Sequence, residues 1–292
     1  MALLVPLISF LIGFFGVRVL RAWRTIFASV LARVLIPAVI VYNMVFYREG
    51  SLWLIGFSFF SSVLLFAVFY FCLKDKLRAL CLSYLNGAWL GFPFALALFG
   101  PEASNTMVAL YIGGSLFGNI CAVMAVSQTR QSSVFILKNV LLSPPVLALS
   151  LAAILSRWDL SAFESNLYLQ RLYQLNKLLL TFMGMCVLGM WLSQVRIHWA
   201  DVWRSFKLIG LRMFAAMGFC AVAYLILPIP QQMLTYAVML MFFALPPAAN
   251  IVALETYYQG TGHSAQYIAS GTLASSILIA VYALIVHWYL PL

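Results

Sequence analysis

Two stretches decide how this chain folds: Leu85-Asn86-Gly87-Ala88-Trp89-Leu90-Gly91-Phe92-Pro93 and Ala244-Leu245-Pro246-Pro247-Ala248-Ala249-Asn250. Each sits inside a long apolar run, yet each carries residues that interrupt a helix. Proline lacks the amide hydrogen and blocks the bond to the preceding turn. Gly87 and Gly91 add backbone freedom. A helix broken inside an apolar run leaves backbone polar groups without partners, and these persist only where protein or a water-filled cavity satisfies them.

Around these stretches the chain of 292 residues is 65% hydrophobic and 8% charged, with a mean hydropathy of +1.02. Soluble domains carry about 25% charged residues. The composition excludes a soluble enzyme, a disulfide scaffold and a disordered chain, and makes the lipid bilayer the surrounding medium. The net charge of +10 would point to nucleic acid in a soluble protein. In a membrane protein it reports charge placement in loops, so no nucleic-acid partner is expected. The five cysteines are scattered without metal or redox spacing and read as packing residues, so no cofactor or metal is expected.

A spanning helix needs about 20 mostly apolar residues. Charge-free runs give ten spans, near Ala2–Leu20, Thr25–Phe46, Leu52–Leu73, Ala79–Phe99, Thr106–Ser127, Phe135–Leu155, Leu172–Val195, Phe206–Leu227, Met233–Tyr258 and Ser264–Tyr289. Pro228-Ile229-Pro230-Gln231-Gln232 divides the last long run. The first span lacks the basic flank and small-residue site of a signal peptide. Odd-numbered loops and flanks carry twelve Lys/Arg: Arg18, Arg21, Arg24, Lys74, Lys76, Arg78, Arg130, Lys138, Arg196, Arg204, Lys207 and Arg212. Even-numbered loops carry four: Arg48, Arg157, Arg171 and Lys177. The excess puts the odd loops in the cytoplasm and both termini on the extracytoplasmic side.

Ten spans divide into five plus five, residues 1–130 and 131–292. Because five is odd, related halves would be inverted. The fourth and ninth spans hold the two interrupted stretches, with Pro93 and Pro246 153 residues apart. Paired interruptions in corresponding spans are the best sequence pointer to a transport site. Fresh half-helices are expected over Phe94–Phe99 and Ala248–Tyr258, since Pro favours the first helical turn. Their N-terminal N–H groups would face the membrane centre and suit an anion. Asn86 and Asn250 would add amide donors and acceptors there, beside Gly91, Pro93, Pro246 and Pro247. The plain alternative is a pair of Pro kinks, common in membrane helices.

The order of these motifs resembles the auxin efflux carrier family, which includes bacterial permeases and the plant PIN-type carriers. The fourth span, Asn86 to Pro93 followed by Leu98-Phe99-Gly100, carries the likeness. So do Leu35-Ile36-Pro37-Ala38 with Phe46, Asn139 with Pro144-Pro145 and Ala148, Leu245 to Asn250 with Glu255 and Tyr257, and Ser270-Gly271-Thr272-Leu273-Ala274-Ser275. The resemblance implies an all-α polytopic membrane protein: ten transmembrane helices as a 5+5 inverted repeat with broken, crossing helices 4 and 9. It implies secondary transport of small organic anions such as auxins, malate and malonate. The short connection from Gln128 to Val134 matches prokaryotic members, hence a bacterial inner membrane. The chain departs from the family pattern in its seventh span, where Thr181 and Gly184 replace a proline and polar stretch, and at Gly271.

Three further residues compete for roles. Arg33, inside the second span, could meet an anion or snorkel to the surface. Glu255 could couple protons or sit at the end of the ninth span. Asn43, deep in the second span, is a substrate-site residue or a packing hydrogen bond. Gly114-Ser115-Leu116-Phe117-Gly118 reads as close packing within the monomer, with a homodimer as the alternative. Besides an anion transporter, the chain could be a Na⁺-coupled carrier of the bile-acid symporter type, which needs clustered oxygen ligands at the crossing. For an intramembrane enzyme the sequence has no HExxH and no paired intramembrane aspartates, which leaves a Ser/His pair that nothing in the sequence positions.

Overall fold

The computed structural model describes residues 4–46, 50–127, 132–158, 160–194, 197–229, 233–259 and 261–289. Its principal helices are α1 (Leu4–Phe15), α2 (Val17–Val45), α3 (Ser51–Leu73), α4 (Lys76–Ser83), α5 (Gly87–Phe99) and α6 (Ala103–Val126). They continue with α7 (Ser133–Leu141), α8 (Pro144–Leu155), α9 (Leu167–Leu192), α10 (Trp199–Ile226), α11 (Met233–Ala244), α12 (Asn250–Gln259) and α13 (His263–Tyr289). Six helices are long and apolar enough to cross a membrane, and a seventh crossing results if α7 and α8, bent by 60°, act as one. The bend falls at Leu142-Ser143, directly before Pro144-Pro145, because the residue before a proline avoids the helical region. Arg48, Arg130, Arg196 and Pro230-Gln231-Gln232 lie outside the described residues.

The helices are inside-out by the standard of a soluble protein. Along α3, Ser51, Ser58, Ser61 and Ser62 are buried, while Leu52, Phe60 and Phe71 are about two-thirds exposed. That distribution fits a helix whose outer face meets hydrocarbon and whose polar side chains join neighbouring helices. Ser58 donates to the carbonyl of Leu110 in α6 at 2.6 Å, and Gly113 of α6 lets its backbone approach the carbonyl of Ile55.

Two bundles emerge from the packing. In the first, α1 lies along α9 and α2 along α8. In the second, α3 lies along α6 and α10 along α13, with α4 against α3 and α11 against α10. The bundles meet chiefly where α9 packs on α5. Side-chain hydrogen bonds tie the odd-numbered connections together at one end: Arg24 to Gln194 at 3.1 Å, Gln259 to the carbonyl of Val126 at 2.9 Å, and Gln266 to Asp201 at 2.6 Å. At the other end, residues from the even-numbered connections (Ser51, Pro101, Glu102, Glu164 and Leu234) line one shared cleft.

Two residues assigned to loops by charge are instead buried in helices. Arg212 is fully buried, about 20 Å of helix rise into α10, and Lys177 is buried in α9. Each borders a charge-free run, so its position in the sequence alone reads as a flank. Removing one from each side leaves the excess on the odd side.

Glycine sets the closest approach in the first bundle. A side-chain carbon at Gly13 would lie 2.0 Å from the carbonyl oxygen of Cys186, and one at Gly189 would lie 2.2 Å from that of Phe10. Backbone cannot yield as a flexible side chain does. Gly13→Ala or Gly189→Ala is therefore expected to destabilise by about 1–3 kcal/mol, the usual range for overpacking. A thermal melt of the purified protein in detergent would read this as a lowered midpoint.

Candidate functional site

The interrupted stretches lie against each other. Between α4 and α5 the residues Tyr84, Leu85 and Asn86 leave the helix, and between α11 and α12 so do Leu245 to Ala249. The two segments run antiparallel, with Leu85 opposite Pro247. Asn86 N–H donates to the carbonyl of Pro246 at 2.8 Å, and Ala248 N–H donates to the carbonyl of Tyr84 at 2.8 Å. Leu85 and Pro247 thus form the non-hydrogen-bonded pair of an antiparallel ladder, which requires no N–H from either. Two prolines fit here because Pro246 supplies only a carbonyl and Pro247 nothing.

Four helix ends converge on this crossing. The C-terminal ends of α4 and α11 present carbonyls that no later turn can satisfy. The guanidinium of Arg212 takes them: Nε donates to Phe243 O at 2.6 Å, Nη1 to Leu82 O at 3.2 Å and Nη2 to Leu245 O at 2.5 Å. One cation therefore neutralises the negative ends of both incoming half-helices. The N-terminal ends of α5 and α12 are left positive. Asn86 caps α5, its Oδ1 accepting from Trp89 N–H at 3.1 Å. Asn250 opens α12 and donates through Nδ2 to the Tyr84 hydroxyl at 3.0 Å.

Asn86 and Asn250 both line a cavity of about 150 Å³, closed by Tyr84, Tyr111 and Ser115 and, from the first bundle, by Ile36 of α2. That is the size of an engineered cavity that holds benzene, so it suits a compact ligand of similar bulk. Asn86 is buried, whereas Asn250 is exposed and marks the opening. A separate recess of about 260 Å³ reaches Arg212 and Pro247 from the odd-loop end, between Arg78 and Arg204. There Arg78 donates to the Tyr267 hydroxyl at 2.7 Å and pairs with Asp75 at 3.2 Å.

Glycines let the neighbours close on the crossing. A side-chain carbon at Gly271 would lie 2.9 Å from the Pro247 ring, and one at Gly118 would lie 2.1 Å from the Tyr84 ring. Gly271 and Gly184 are thereby explained. Proline at position 93 cannot bond the carbonyl of Trp89, and Gly184 of α9 brings its backbone against that same carbonyl. Gly114 and Gly118 pack on Phe242 and Tyr84 of the same chain, the within-monomer use of the GxxxG pattern.

The residues singled out from sequence do not all gather here. Pro246, Pro247, Asn86 and Asn250 do. Pro93 does not mark the break: the half-helix starts at Gly87, and the widened turn Gly87–Gly91 absorbs the proline that follows. Gly91 makes room for Met107. The 153-residue offset of Pro93 and Pro246 therefore pairs residues that are not structurally equivalent, and the second half-helix starts at Asn250, past Ala248. Arg33 is exposed in a second widened turn, Leu31–Leu35, and lines an apolar groove between α2, α8 and α9. Asn43 donates to the Tyr173 hydroxyl at 2.8 Å and lines the cleft at the even-loop end. Glu255 is buried at the far end of α12, where it receives Thr261 Oγ1 at 2.6 Å, His263 N–H and Ser264 N–H at 2.8 Å each, and the Ser264 hydroxyl. It caps α13.

Sequence reading missed Arg212, Tyr84 and Lys177. A signal existed for Arg212, since extending α10 back to Trp199 places it more than three turns deep. No known family model and no curated protein matches the chain.

The three carbonyls on Arg212 give a direct test of the crossing. Arg212→Met leaves them buried without donors, at about 1–3 kcal/mol each, so folded, monodisperse protein should be lost in size-exclusion chromatography. Arg212→Lys should recover part of it, because an ammonium cannot span the same fork of acceptors.

Proposed function

We propose that the chain is a secondary transporter that moves a small organic anion, a carboxylate, across the membrane by alternating access. The observation that carries this reading is the charge arrangement at the crossing. Arg212 occupies the negative helix ends, while the positive ends of α5 and α12 face one small cavity with Asn86 and Asn250. An anion is the ligand such an arrangement favours.

The packing supports an inverted repeat of five plus five. Counting α4 with α5, α7 with α8, and α11 with α12 as single crossings, and α1 as a short one, makes ten. Exchanging each crossing with the one five places later turns the pair of first and seventh into the pair of sixth and second. It turns the third and fifth into the eighth and tenth. All four of these pairs pack extensively. In this reading residues 1–130 and 131–292 are the repeats, the odd loops are cytoplasmic and both termini lie outside a bacterial inner membrane. The crossing belongs to the second bundle and Ile36 to the first, so rocking one against the other would open the cavity to alternate sides. This architecture and anionic cargo are what the resemblance to the auxin efflux carriers implies.

The sodium-coupled alternative needs oxygen ligands clustered at the crossing, and the carboxylate of Glu255 is engaged at the start of α13 instead.

Reconstituted protein should move radiolabelled malonate or an aromatic carboxylate into liposomes. Asn86→Ala and Asn250→Ala should each lower the flux about tenfold or more, the effect of removing one hydrogen bond to a charged ligand. Unaltered flux in both variants would sink the assignment of the cavity.

A further inference from the structure

We propose that the cleft at the even-loop end is a second anion-binding site, built on Lys177 and suited to a hydrophilic carboxylate. The cleft measures about 710 Å³, within the range of small-molecule sites. It lies between the bundles. Asn43 of α2 and Gln170, Gln174 and Lys177 of α9 face Asn105 and Thr106 of α6 across it.

Lys177 is 6% exposed, and among the described residues it makes no hydrogen bond or ion pair. Its ammonium lies 4.4 Å from the centre of the Tyr173 ring. That ring is fixed by stacking on Tyr42 at 3.8 Å, and its hydroxyl is held by Asn43 at 2.8 Å and Ser104 at 2.7 Å. A buried cation is normally paired, and one left facing a polar space invites an anion. Ring contact alone supplies part of the lost hydration.

The surroundings restrict what that anion can be. Apart from Lys177, the charged groups on the cleft among the described residues are Glu102 and Glu164, both exposed. They disfavour dianions such as phosphate while leaving the deeper ammonium for one carboxylate. Amides and hydroxyls supply partners for a ligand that carries hydroxyl groups, as a sugar acid does. The site is separate from the crossing: Lys177 lies about 10 Å of helix rise from Gly184, the residue of α9 that touches Trp89. Binding there does not depend on whether the chain transports anything.

The test uses the full chain in detergent, with gluconate, benzoate and inorganic phosphate as probes and the thermal midpoint as the readout of binding. Gluconate should stabilise the wild type more than benzoate or phosphate does. Lys177→Arg should keep the response, and Lys177→Gln should weaken apparent affinity about tenfold or more. Lys177→Met is the companion where the glutamine variant fails to fold. It removes an unpaired buried charge and should melt no lower than wild type without ligand while losing the gluconate response. Asn86→Ala should keep that response, which separates this site from the crossing. A wild type indifferent to gluconate, equal stabilisation by phosphate, or a response unchanged in the Lys177 variants would each overturn the proposal. So would a response that Asn86→Ala abolishes and Lys177→Gln preserves. A gluconate response without any malonate flux would leave this site standing and remove the transport reading alone.

Discussion

Arg212 is the constraint on which the rest depends. A helix broken at mid-depth exposes carbonyls at one stump and N–H groups at the other, and hydrocarbon offers neither a partner. Here two breaks are set side by side, so each supplies part of what the other lacks. The short antiparallel pairing of Tyr84–Asn86 with Pro246–Ala248 uses up two N–H groups and two carbonyls. At the incoming ends one guanidinium with a planar fork of donors reaches three further carbonyls. Burying that cation is costly in isolation, but its partners are the two helix ends that most need positive charge.

Once the crossing is fixed, the neighbouring helices have little freedom. The outer end of the Tyr84 ring must lie against Gly118, Pro247 against Gly271, and the Trp89 carbonyl against Gly184. Each contact admits hydrogen alone at the glycine, so α6, α13 and α9 are placed by close approach rather than by hydrophobic force, which hydrocarbon surroundings do not supply. The serine face of α3 works the same way, turned inward against α6 while phenylalanine and leucine face outward. The second bundle thus frames the crossing, and the most extensive single contact from the first is that of α9 on α5.

Much of this was legible in the sequence, and what was not has identifiable causes. The apolar runs and the two interrupted stretches came from composition and from Pro, Gly and Asn in apolar context. The start of α5 was misplaced because proline is a conspicuous helix breaker, whereas the chain absorbs Pro93 in a widened turn and breaks earlier, at Tyr84–Asn86, where no residue forbids a helix. Only the pairing with Pro246–Ala248 explains that break, and pairing across 160 residues leaves no local trace. The capping role of Glu255 is likewise set by the tight return of the chain to His263 and Ser264. Arg212 and Lys177 were read as loop charges because a rule based on counting treats every basic residue near a span end alike.

The two misread cations differ in a way that bears on mechanism. Arg212 is committed to the frame: three of its five N–H donors go to backbone carbonyls at the crossing. Lys177 meets a ring face and an open polar cleft. A cation that must hold the frame and a cation that can meet a solute therefore sit on different bundles. At the crossing itself, an anion would meet helix ends, amides and the hydroxyls of Tyr84, Tyr111 and Ser115. Such contacts attract without trapping, since partial charges and neutral donors bind an ion more weakly than a full opposite charge does. For the transport proposed above, release on the far side is easier with the strong fixed charge kept behind the helix ends rather than in the cavity.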